Sequence, residues 1–132
     1  EPKIRDNYHT VLISKNEQGK AELLRLLFNS TDEKHKYYKP RISFDEFLNI
    51  SDNIIKISAC LASPLNRIRD LDRVDKLLKH YDYYEIQYHN ILEQIEYNQY
   101  LYGLAKRYNK KLVLGTDTHS LNSYKAECRI KL

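Results

Sequence analysis

Short apolar runs alternate with amphipathic stretches along almost the whole chain. YHTVLIS, 8–14, is rich in branched residues and predicts a strand. KAELLRLLFNS, 20–30, places Leu23, Leu24 and Leu27 at helical spacing. SFDEFLNI, 43–50, opens on Ser43 with Glu46 three residues later, the capping-box pattern of a short helix. NIIKISACL, 53–61, predicts a second strand, and DRVDKLLKH, 72–80, a helix opened by Asp72. YYEIQYH, 83–89, predicts a third strand. Over 92–108, Tyr97, Tyr100, Leu101, Leu104, Ala105 and Tyr108 fall on one continuous helical stripe, which predicts a helix with that stripe in the core. KKLVLG, 110–115, predicts a fourth strand, and SYKAECRIKL, 123–132, a helix capped by Asn122. No segment repeats.

Strands and helices in this order predict an α/β fold of βα units around a parallel sheet. In such sheets the chemistry gathers where strands end and loops begin. Three of the four predicted strands end in groups that can bind a metal or move a proton. The second ends at Cys60, the third carries Glu85 and ends at His89, and the fourth runs into Asp117 and His119. In extended chain Asp117 and His119 share a side, so both can reach one metal, or one can ligate while the other orients it. Each also has a plain structural role open to it. Cys60 suits a small core position, Glu85 a cross-strand ion pair, His89 a loop, and Asp117 and His119 surface hydrogen bonds. His9 opens its strand rather than closing it, and the carboxyl-end rule does not account for it. His35 and His80 lie in polar surroundings and are expected in solvent. Cys128 is expected in the core or at an interface.

At 132 residues the chain suits a single domain with a modest core. It contains no Met and starts at Glu1, which raises the expectation of a fragment of a longer protein. No apolar run is long enough to span a bilayer and no leader pattern opens the chain, so no membrane partner is expected. Two cysteines are too few for a disulfide framework, and a cytoplasmic setting is expected. A net charge of +4 allows a phosphate-bearing partner without requiring one. KHKYYKPR, 34–41, is the one concentration of cations and rings. It reads as a solvated connection, or as a nucleic-acid contact through Lys36, Lys39 and Arg41.

Several segments together resemble the PHP (polymerase and histidinol phosphatase) domain of the bacterial DNA polymerase III alpha subunit. The later half carries Glu85-Ile86-Gln87, His89, Glu93-Gln94, Asn98, Leu101, Leu104-Ala105, Leu112-Val113 and Asp117-x-His119 in the family's order. Upstream, YHTVLISKNEQGKAELLRL, YYKPRISFDEF and ISACLAS resemble the family's histidine-led strand, its Pro-Arg connector and its Ser-Ala-Cys-Leu strand end. The likeness runs from Tyr8 onward.

The resemblance implies part of a distorted βα barrel that gathers divalent metal ions at one mouth. It implies that His9, Cys60, Asp117 and His119 are metal ligands, with Glu85 and His89 in the same pocket or behind it. Zinc or manganese are the ions such a donor set suits. The implied activity is phosphoester hydrolysis of DNA or nucleotide phosphate, as a 3′–5′ exonuclease or a pyrophosphatase, with the rest of the polymerase alpha subunit as partner. The family's HxH and Asp-His motifs do not occur here, so 1–132 is expected to be one PHP-like domain lacking its N-terminal motifs, with an incomplete metal site. The alternative is a catalytically inactive module that stabilises the polymerase or docks partners.

Overall fold

The structure is a computed structural model that describes residues 7–30, 41–59, 71–88, 90–115 and 125–131. Its elements are β1 (Asn7–Ser14), α1 (Glu17–Ser30), β2 (Arg41–Ser43), α2 (Phe44–Leu48), β3 (Ile54–Ser58), α3 (Leu71–His80), β4 (Tyr83–Ile86), α4 (Leu92–Tyr108), β5 (Lys111–Leu114) and β6 (Lys125–Lys131). The strands form one six-stranded sheet in the order β2-β6-β1-β3-β4-β5.

The sheet is mixed, which corrects the all-parallel expectation. β3, β4 and β5 pair in parallel, as do β2 and β6. β1 sits between β6 and β3 and is antiparallel to both. It alone runs against the other five described strands. The expected helix over 123–132 is also corrected, because Lys125–Lys131 is strand β6. Ala126, Cys128 and Ile130 alternate with charged residues at the period of a strand, and seven β1–β6 residue pairs satisfy the backbone that a helix would have satisfied locally. Arg41, read as the end of a connection, begins the short strand β2 opposite Arg129.

Register puts Tyr8, Thr10 and Leu12 of β1 on the same face as Ile130, Cys128 and Ala126 of β6. Lys56 and Ser58 of β3 share that face. This is the helix-covered side. Its core joins Leu12, Ile54, Tyr84, Cys128 and Ile130 to Leu23 of α1, Phe47 of α2, Leu77 of α3 and Leu101 of α4. Within it Lys56 is almost fully enclosed, its ammonium donating to the Ile54 and Ser51 carbonyls and lying 3.4 Å from Asp82.

The helices start where their sequences favour it. Asn16 accepts a hydrogen bond from the Gly19 amide in the first turn of α1. The Ser43–Glu46 capping box closes both ways in α2, with the Glu46 amide donating to the Ser43 hydroxyl and the Ser43 amide to the Glu46 carboxylate. α4 ends at Asn109, whose φ of 57° is left-handed, a conformation Asn tolerates better than most residues. Tyr97, Leu101 and Ala105 of its stripe are buried, but Tyr100 is exposed. His80 is also corrected. It is half-buried, its ring edge-on to Phe47 at 4.9 Å, because α3 turns its last residues against α2.

Candidate functional site

Inverting β1 places its amino end at the edge where β3, β4, β5 and β6 end. This accounts for His9 opening its strand: His9 lies beside the same sheet edge as Ser58, Ile86, Leu114 and Lys131. It also lies on the face opposite the helices, with Val11, Ile57, Tyr83 and Glu85. Of the expected metal ligands and pocket residues, His9 and Glu85 are therefore on one face near one edge. Cys60, Asp117, His119 and His89 lie outside the described residues, as do Lys36 and Lys39. Arg41 is half-buried in β2, four strands away from β4 in the sheet order.

His9 Nε2 is 2.9 Å from Glu127 Oε1. The pair is diagonal across β1 and β6, since Glu127 faces Val11 and Arg129 faces His9. An ionised carboxylate only accepts, so in this pair the imidazole N–H is the donor. Metal-bound histidines are commonly oriented in this way, with the far N–H given to a carboxylate. His9 thus has the chemistry of a ligand. Among the described residues, however, no three His, Cys, Asp or Glu side chains converge to hold a metal. The described residues supply one oriented imidazole, not a cage.

Glu85 is held from several sides. Its amide donates to the Ser58 hydroxyl at 3.0 Å, and its Oε2 accepts from Gln87 Nε2 at 2.8 Å. Gly115 closes the other side. A methyl there would lie 2.5 Å from Glu85 Oε2 and 3.0 Å from Gln87 Cγ, so only glycine leaves the carboxyl its place. The Gly115 amide donates to the Ile86 carbonyl and extends the β4–β5 pairing by one bond. Burial pushes the Glu85 carboxyl above the usual carboxylate range; the Gln87 bond and Lys125 pull it down, and Glu127 pushes it up. Lys125 and Glu127 belong to β6, three strands from β4.

Sequence reasoning gave Glu127 no role. The available signal was the strict alternation of KAECRIK, which puts Glu127 and Cys128 on opposite faces.

The PHP domain model matches residues 1–114, and the chain belongs to the PHP domain family. Among curated proteins it is similar to the DNA polymerase III subunit alpha of Aquifex aeolicus (strain VF5), 32% identical over 126 residues that cover 88% of this chain and 11% of that protein. The corresponding subunit of Borreliella burgdorferi is 30% identical over the same coverage. A DNA polymerase III PolC-type from Thermotoga maritima is 26% identical over 95% of this chain and 10% of its own length. The chain thus spans about a tenth of the relatives it matches. No helix among the described residues is long and apolar enough to cross a membrane.

Proposed function

We propose that this chain supplies the later part of a PHP cation centre, of the metal-dependent phosphoesterase type, to a DNA polymerase III alpha protein. The observation that carries it is the inverted β1, which brings an imidazole already oriented by Glu127 to the carboxyl-end edge of the sheet. His9 would hold zinc or manganese together with Cys60, Asp117 and His119. Bound there, the ion would acidify a water and offset the charge on a phosphoryl group. Glu127 would orient the His9 ring toward the ion, and Glu85 lies on the same face. Closure of the sheet into a distorted βα barrel, a 3′–5′ exonuclease or pyrophosphatase activity, a DNA or nucleotide substrate, a site short of the HxH and Asp-His ligands and a cytoplasmic setting all belong to this proposal. So does the assignment of 1–132 to one domain.

Elemental analysis of the chain, purified without chelators, is expected to show bound zinc or manganese that His9→Ala removes. Release of label from a 3′-labelled oligonucleotide, or of phosphate from pyrophosphate, would define the activity. The alternative reading is a structural module without catalysis. Metal-free protein with no hydrolysis of either substrate would establish it.

A further inference from the structure

A continuous polar chain leads from the core side of α4 to Glu85. Gln94 is almost wholly enclosed. Its Nε2 donates to Asn98 Oδ1 at 2.8 Å, one helical turn on. Asn98 Nδ2 donates to the Gln87 carbonyl at 2.8 Å, just beyond the end of β4. The Gln87 side chain then donates to Glu85 Oε2. The Gln94 amide is oriented by Asn98, Asn98 holds the Gln87 backbone, and the Gln87 side chain holds Glu85. An enclosed amide costs stability unless its bonds are made. Here the first bond stays within α4, and the second carries on from Asn98 to the backbone beyond β4.

The geometry points to Gln94, Asn98 and Gln87 as a positioning relay that fixes the Glu85 carboxylate on the His9 face, where it strengthens the hold on a divalent cation. This rests on the cation reading of the sheet edge proposed above. Two observations support it besides the relay. Gly115 makes room for this carboxyl against both Glu85 and Gln87. The carboxyl also feels Lys125 and Glu127, the second of which orients His9. Glu85 and His9 lie on one face of the sheet, with β3 between their strands.

The test is Mn²⁺ affinity of the full chain, by competition with a chromophoric chelator, alongside thermal unfolding in the absence of metal. Outer partners of metal ligands are commonly worth ten- to a hundred-fold in affinity. Glu85→Gln keeps the size of the side chain and an acceptor for Gln87, and is expected to weaken Mn²⁺ about tenfold with the melting temperature little changed. Asn98→Ala is expected to weaken Mn²⁺ in the wild-type background and to add nothing in the Glu85→Gln background. A purely structural relay would move the melting temperature and leave affinity alone, or give additive losses, and either result overturns the inference. Wild-type chain that binds Mn²⁺ and loses it through His9→Ala, but keeps it unchanged in Glu85→Gln, overturns the relay while the cation reading stands. No Mn²⁺ binding by the wild-type chain overturns both.

Discussion

Two single positions show how much one side chain can carry. At Gly115 the constraint is space. An added methyl meets the Glu85 carboxyl and the Gln87 stem, both already held by hydrogen bonds. Gly115→Ala should cost about 1–3 kcal/mol in urea unfolding, and the cost should shrink in a Glu85→Ala background, where the obstacle is gone. At His80 the constraint is charge. Burial lowers its pKa first, and the nearby Lys56 ammonium adds to this; the Phe47 carbonyl, Asp82 and Asp52 pull the other way without reversing it. Its Nε2 is buried without an acceptor among the described residues. The unfolded chain therefore binds this proton more readily than the native one. Stability from this group is fully present above about pH 6.5, its ordinary pKa, and is lost as pH falls from there through the lowered folded value. Urea midpoints across that window should decline on acidification, and His80→Leu should flatten the decline. Neither position was legible in the sequence. The setting of His80 reads as polar because its neighbours in sequence are charged, whereas its neighbours in space are Phe47 and the core. Gly115 looks like an ordinary loop glycine until β4 is placed beside it.

At the scale of elements, what was legible was local. The capping box needs only Ser43 and Glu46 in register, and both bonds form. Ser43→Ala should cost about 1 kcal/mol. The loss should appear as lower thermal stability rather than a changed fold, because Phe47 anchors α2 in the core. α4 was legible for the same reason, its buried stripe of Tyr97, Leu101 and Ala105 being set by helical period. β6 was not. Ala, Glu, Lys and Arg favour a helix by local propensity. Lys125–Lys131 is a strand because β1 offers it seven partners, and β1 lies more than a hundred residues earlier. Lys56 escaped in a similar way. Nothing in IIKIS says that its lysine is enclosed with its ammonium on two carbonyls beside Asp82.

For the whole molecule, the decisive feature is the direction of one strand. Were β1 parallel to β3, His9 would lie at the opposite edge from Ser58 and Leu114, and no imidazole from β1 could meet groups that follow β3 and β5. The sequence carries His9, Cys60, Asp117 and His119 in plain view, yet strand direction is fixed by pairing between distant segments, so the edge at which His9 lies is not written in any local pattern. The cation centre proposed above has a thermodynamic signature independent of catalysis. A ligand that binds only the native state stabilises it by about 2.7 kcal/mol at a hundred times its dissociation constant. Added Zn²⁺ or Mn²⁺ should therefore raise the urea midpoint of the wild-type chain, and the rise should keep growing with the logarithm of metal concentration rather than level off. His9→Ala should abolish the rise. Glu127→Gln should reduce it without abolishing it, because the amide can still orient the imidazole but no longer holds the proton on Nε2 with a charge. A midpoint that ignores metal in the wild-type chain would leave β1 as a packing strand and overturn the cation reading of this sheet edge.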